Sequence, residues 1–159
     1  MSNFSEITVI LALIGSALAA GIFFAFSSFI MKALARLPSS EGMAAMQSIN
    51  IAVINPAFMT VFMGTTAISL MLVIIAIWAW SMPAAPYFLT GGLLYFIGTF
   101  LVTGMGNVPL NDQLAAMDAD DPRASDIWMH YLDEWTRLNT IRTVCAAAAA
   151  MVILAGVLI

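Results

Sequence analysis

The residues with the densest chemistry lie between Trp128 and Arg142, in the run Trp-Met-His-Tyr-Leu-Asp-Glu-Trp-Thr-Arg-Leu-Asn-Thr-Ile-Arg. Aromatics, an imidazole, carboxylates, an amide and two guanidinium groups follow one another, then give way to 17 uncharged residues. Trp128, Tyr131, Trp135, Leu138 and Arg142 recur every three or four residues, so a helix carries them on one face, with Asn139 at its border. His130, Asp133, Glu134 and Arg137 fall on the wetter side, where Glu134 and Arg137 pair at i,i+3. A membrane crossing needs about 20 apolar residues. A span running to Ile159 therefore places Arg142 at or just inside the membrane boundary. Arginine at the bilayer centre costs roughly 2.5–3.5 kcal/mol, and less near the interface. Two readings account for it: a side chain that snorkels to the headgroups, or an inward-facing guanidinium that binds an anion or oxyanion.

A second polar group sits in Gly106-Asn107-Val108-Pro109-Leu110-Asn111-Asp112. Pro109 interrupts the helical pattern and frees backbone groups. Asn107 and Asn111, one turn apart, cap the broken helix or form the polar rim of a cavity, where irregular backbone is tolerated at membrane depth. Upstream, Phe23, Phe24, Phe26 and Phe29 are packing residues or the aromatic wall of a pocket for a flat ligand. Ser27 and Ser28 bond back to their own helix in the plainest reading.

These groups need elements to hold them. The chain is 62% hydrophobic and 9% charged, against 45–50% and about 25% in soluble domains. That excludes an ordinary soluble globule. No charge occurs in the 70 residues between Glu41 and Asp112, nor in the 25 between Glu6 and Lys32. The chain thus has room for four spans, near 7–31, 57–80, 87–107 and 138–159. The expected fold is all-α: one domain over 1–159, an antiparallel bundle of four transmembrane helices. An amphipathic helix follows the first span, and an interfacial helical extension precedes the fourth. Leu37-Pro38-Ser39-Ser40-Glu41 stops the first helix and starts the amphipathic one over 41–54, with Met43, Met46, Ile49 or Asn50, and Val53 on its inner face. Asn55-Pro56 opens the second span. Trp78 and Trp80 form an aromatic belt at its far end, and the short link 81–86 makes a hairpin. Asp120-Asp121-Pro122 marks a turn and helix start.

Ala12, Gly15, Ser16 and Ala19 in the first span, and Gly91, Gly92, Gly98, Gly104 and Gly106 in the third, let helices approach closely in lipid. They also offer docking faces for a homo-oligomer. Met1–Thr8 lacks Lys and Arg, and the apolar run after it is longer than a secretory signal. Despite Ala17-Leu18-Ala19, the first span is read as retained.

Net charge is −4, but five of the nine acids fall between Asp112 and Asp126. This is a solvated acidic loop. No Lys/Arg patch suits nucleic acid. The single Cys145 excludes an intrachain disulfide and a Cys-based metal cluster. No metal site is foreseen, because the first three spans lack the His and Glu that haem or a bundle di-iron site would use. All five Lys and Arg lie on one side of the bundle. The positive-inside rule makes that side cytoplasmic, in a multi-pass protein of the cell (inner or plasma) membrane. On the same side Ser27 and Ser28, Asn50 and Asn55, Asn107 and Asn111, and Asn139 and Arg142 converge. A polar pocket at one end of an apolar bundle is a binding site by default.

Several motifs occur together: Phe23-Phe24-Ala25-Phe26 before a basic turn, Asn50 with Asn55-Pro56, Asn107-x-Pro-x-Asn111, and Trp135-x-x-x-Asn139-x-x-Arg142. In combination they resemble the anthrone oxygenase-like family of small four-helix membrane proteins, over nearly the whole chain. The resemblance implies oxidation of a polycyclic phenol or anthrone-type substrate by O2 with no cofactor. By position it makes Asn107, Asn111, Trp135, Asn139 and Arg142 pocket residues, with Asn50, Asn55 and Phe26 beside them. Such chemistry needs an electron-rich carbanion or phenolate that reacts with O2 itself. Arg142, with Asn107, Asn111 or Asn139, would hold the oxyanion. Asp112 or His130 would be the base. The alternative is a membrane protein without catalysis: a lipid or small-molecule binder, a transporter subunit or an assembly partner. A transporter is disfavoured by the lack of an inverted repeat or charged relay.

Overall fold

The computed structural model describes residues 3–118 and 123–159, with side chains from Glu6 onward. The Asp120-Asp121-Pro122 turn lies outside the described residues. Helix α1 (Asn3–Ala25) passes through a widened π-helical stretch, Phe26–Ile30, into the short α2 (Met31–Leu34). Helices α3 (Ser39–Ala52) and α4 (Pro56–Trp78) follow. Helix α5 (Ala85–Tyr95) continues through two π stretches, Phe96–Leu101 and Thr103–Asn107, into α6 (Val108–Ala115). Helix α7 (Ala124–Val157) completes the fold, and the described residues form no strand. Four segments are long and apolar enough to cross a membrane: Glu6–Leu34, Pro56–Trp78, Ala85–Ala115 and Ala124–Val157. The protein is a multi-pass membrane protein with an all-α bundle fold.

Each long helix packs on two neighbours, in the cyclic order α1, α4, α5, α7. Consecutive spans run in opposite directions, so every neighbouring pair is antiparallel. Helix α3 lies across one end, against α2, α6 and α7. The core is stacked in three layers along the bundle. Val9, Ala12, Leu72, Ala76, Ala85, Phe88 and Ile153 form the layer at the end away from α3. Ala19, Phe23, Phe62, Tyr95, Ala146 and Ala149 form the middle. Met31, Leu34, Met43, Met46, Leu114, Trp128, Tyr131 and Trp135 form the end beneath α3. The outer surface is apolar, with Ile10, Ile74, Trp78 and Met151 all exposed. In a bilayer that surface meets acyl chains and carries no hydrophobic penalty.

One expectation is revised, and one gains a use within the chain. Pro109 does not end the third span, which continues helical to Ala115. Pro109 falls in the first turn of α6, directly after a π stretch. The wider turn relieves the clash between the proline ring and the preceding carbonyls. The small-residue faces are also used inside one chain. A side chain at Gly15 would run into Thr65, and one at Gly98 into Cys145. Ala12, Ser16 and Ala19 are buried as well. These residues bring the first span onto α4 and the third span onto α7, while a side chain at Gly104 would meet open space.

Helix α3 begins at Ser39 and buries Met43 and Met46, as its periodicity implies. Its Gln47 Nε2 donates to the carbonyls of Leu114 (2.7 Å) and Met117 (3.2 Å). Those carbonyls belong to the last turn of α6 and the residues after it, where helices leave acceptors unpaired.

Candidate active site beneath the interfacial helix

Beneath α3 lies a cavity of about 240 Å³ walled by every long helix. Phe23 and Phe26 come from the first span, Met46 and Asn50 from α3, and Phe58 and Phe62 from α4. Thr103, Asn107 and Asn111 come from the third span, Trp135 and Arg142 from α7. Its size falls just below the range of roughly 300–1,000 Å³ typical of small-molecule sites. A compact, flat ring system suits it.

Helix α7 supplies the chemistry. Trp128, Tyr131, Trp135, Asn139 and Arg142 are all buried along one face. Asn139 is 0% exposed and sits in the middle of that face, not at its border, while Leu138 is half-buried. The three aromatic rings stack in sequence, with centroids 5.7 and 6.1 Å apart. Phe26 leans on Trp135 at 5.5 Å.

Arg142 is 4% exposed, so its side chain does not snorkel. Its Nη1 donates to Thr103 Oγ1 at 3.1 Å and its Nη2 to Asn139 Oδ1 at 2.7 Å. Cζ lies 4.3 Å from the Phe23 ring centroid and 5.1 Å from that of Trp135. Each such contact contributes on the order of 1–2 kcal/mol when desolvated. Among the described residues no group accepts from Nε and no carboxylate pairs with Arg142. Neutral oxygens and ring faces thus hold the cation without cancelling its charge. A buried charge without a counter-ion is costly, and here its field falls on an apolar cavity.

Asn139 fixes the guanidinium from behind. Its Nδ2 donates to the Phe23 carbonyl and to Ser27 Oγ, each at 2.7 Å. These acceptors flank the start of the π stretch in the first span. Ser28 makes the expected back-bond to the Phe24 carbonyl, at 2.6 Å. One extra residue in a turn rotates the following side chains by about 100°, and π turns often mark functional sites. In the third span, Thr103 and Asn107 bound such a stretch and both reach the cavity.

A second network stiffens the opposite wall. Asn111 Oδ1 accepts from the Tyr131 hydroxyl and from Trp135 Nε1, both at 2.8 Å. Asn50 Nδ2 donates to the Tyr131 oxygen at 3.4 Å. Asn107 Nδ2 donates to the Trp135 carbonyl at 3.2 Å, and no protein group donates to its Oδ1.

The sequence-chosen residues therefore divide. Asn50, Asn107, Asn111, Trp135, Phe26 and Arg142 line the cavity, and Asn139 supports it from one layer back. Asn55 does not line it. Its Oδ1 accepts from Phe58 N–H (3.0 Å) and its Nδ2 donates to the Ala52 carbonyl (2.9 Å), so the amide caps α4. Asp112 and His130 are exposed and outside the lining. His130 instead edges a surface depression with Asp126 and Gln113. Thr103 and Tyr131 were not singled out as site residues, though both sit in readable patterns. Thr99, Thr103 and Asn107 repeat at i,i+4 in an otherwise apolar helix, and Tyr131 shares the face of Trp135 and Arg142. Among the described residues no three His, Cys, Asp or Glu side chains come together to hold a metal ion.

Neither the curated proteins nor the solved structures provide a match to this chain. Residues 58–152 match the protein-family model described as Anthrone oxygenase. The matched stretch covers more than half of the chain and includes Thr103, Asn107, Asn111, Trp135, Asn139 and Arg142; the protein belongs to the anthrone oxygenase family.

Proposed function

We propose that the protein uses O2 to oxidise a hydrophobic anthrone-type polycyclic phenol to the corresponding quinone, with no cofactor. The observation that supports this reading is Arg142: a buried guanidinium, held only by neutral groups, on the wall of an apolar, aromatic-lined cavity. In overall balance, a ring CH2 and one O2 become a ring carbonyl and one water. The substrate first loses a proton. Its anion, with charge on the ring oxygen, bonds to O2 through the ring carbon. The resulting peroxide anion takes a proton from water, replacing the one first released, and the hydroperoxide loses water to leave the carbonyl.

Arg142 would stabilise the oxyanion through hydrogen bonding and charge, in a site that excludes water. Phe23, Phe26 and Trp135 would hold the ring system flat against that charge. Among the described residues, the cavity lining contains no carboxylate or imidazole. We assign the acidity to the substrate itself, raised by the guanidinium, with the proton leaving to water at the rim beside half-buried Asn50. The cavity draws walls from every long helix, so residues 1–159 act as one unit. We place the protein in the cell's inner or plasma membrane with the cavity end cytoplasmic, because the Lys and Arg residues gather there.

The test is oxygen uptake and quinone absorbance with an anthrone in mild detergent. The expected result is one O2 consumed per quinone, well above the spontaneous rate, with a pH profile that follows ionisation of the substrate. Uptake no faster than in protein-free detergent would remove the catalytic reading and leave a binding protein.

A further inference from the structure

Asn107 is 1% exposed and lines the cavity, yet only half of its amide is engaged. The bond from Nδ2 to the Trp135 carbonyl fixes which end is which, because a flipped amide would set two carbonyl oxygens against each other. Oδ1 is left with no donor among the described residues. Buried amide oxygens almost always accept a hydrogen bond. The neighbouring acceptors are already occupied. Asn111 Oδ1 receives Tyr131 and Trp135, and Thr103 Oγ1 receives Arg142 while donating to the Thr99 carbonyl at 2.7 Å. Among the described residues, the wall therefore carries a buried nitrogen with no acceptor, Arg142 Nε, and a buried oxygen with no donor, Asn107 Oδ1.

We infer that Asn107 is a specificity-determining residue: its Oδ1 accepts a hydrogen bond from a neutral ring hydroxyl of the substrate, while Arg142 faces the oxygen that becomes anionic. The inference rests on the oxidation reading above and narrows it. The ligand must carry two oxygens in different protonation states. An analogue with hydrogen in place of that hydroxyl leaves Oδ1 unmet. A substrate that has lost both protons sets a second anion against the amide oxygen, so affinity falls as the second hydroxyl ionises.

The experiment compares an anthrone bearing one free ring hydroxyl with its deoxy analogue. Binding is read from quenching of tryptophan fluorescence and turnover from oxygen uptake, in the wild type and in Asn107→Leu. The wild type is expected to favour the hydroxyl compound by about 10–100-fold in both Kd and kcat/KM. In Asn107→Leu that preference should shrink to about twofold or less. An equal preference in both proteins, or none in the wild type, overturns the inference. If Asn107→Leu is not recovered folded, Asn107→Ala makes the same comparison, and the wild-type ligand pair decides the second outcome alone. Binding that discriminates without turnover sinks the oxidation reading and keeps Asn107. Turnover without discrimination does the reverse.

Discussion

At the end of the bundle away from α3, Val9, Ala12, Leu72, Ala76, Ala85 and Ile153 interlock as aliphatic and small side chains around the Phe88 ring. At the end beneath α3, the first and third spans widen through π stretches, the third and fourth carry Asn107, Asn111, Asn139 and Arg142, and the bundle leaves a cavity. The first end follows the ordinary rule for helices in lipid, where small residues let backbones meet. The second departs from it wherever a polar group must face inward. The contrast separates what holds the helices together from what they hold. Stability should reside mainly in the aliphatic end, and chemistry in the other.

The sharpest way to break this comparison is Arg142→Ala. It is expected to lower kcat/KM by about 10²–10³-fold, with helicity by circular dichroism and the size-exclusion profile retained. Activity within a few-fold of the wild type would mean that the buried charge serves assembly. Gly91→Leu probes the other end. A side chain there meets Ile153 and the Ala149 carbonyl, at 3.2 Å from the latter. Overpacking of this kind should cost about 1–3 kcal/mol, seen as a lower thermal midpoint. Turnover per folded molecule at room temperature should stay unchanged. A loss of turnover at full stability would merge the two ends into one functional unit. The smallest effect belongs to Asp112→Asn and His130→Ala, which alter exposed groups outside the cavity. Both should stay within about twofold of the wild type. A bell-shaped pH profile that one of them abolishes would restore it as a catalytic base.

The fold was legible because charge is scarce. The uncharged runs between Glu6 and Lys32 and between Glu41 and Asp112, with the tail after Arg142, leave no other way to arrange four spans. The ends were less legible. Pro109 reads as a stop, yet the π stretch before it absorbs the disruption, and no residue pattern announces a π turn. The site was half legible. Trp135, Asn139 and Arg142 show their shared face through spacing alone. Asn55 looked like a cavity amide because it converges on the right side of the membrane, but the local demand of a helix start for an acceptor at Phe58 N–H claims it first. Asp112 and His130 were nominated because the chemistry wants a base. Nothing in their spacing aims them inward, and the helices turn both outward. The links from Gln47 to the end of α6 and from Asn50 to Tyr131 join residues more than 60 positions apart. No local pattern in the sequence can show them.

Burial of Arg142 also bears on how the protein is made. The charge rides on α7, which leaves the ribosome after the other three spans. An isolated α7 entering lipid would carry a guanidinium with nothing to meet it, at roughly 2.5–3.5 kcal/mol were it at the bilayer centre. By then the first span already offers the Phe23 ring, and the third offers Thr103. Insertion of α7 is thus coupled to assembly of the earlier helices. Docking of α7 also brings Trp135 and Arg142 to the cavity, so the same step builds the site.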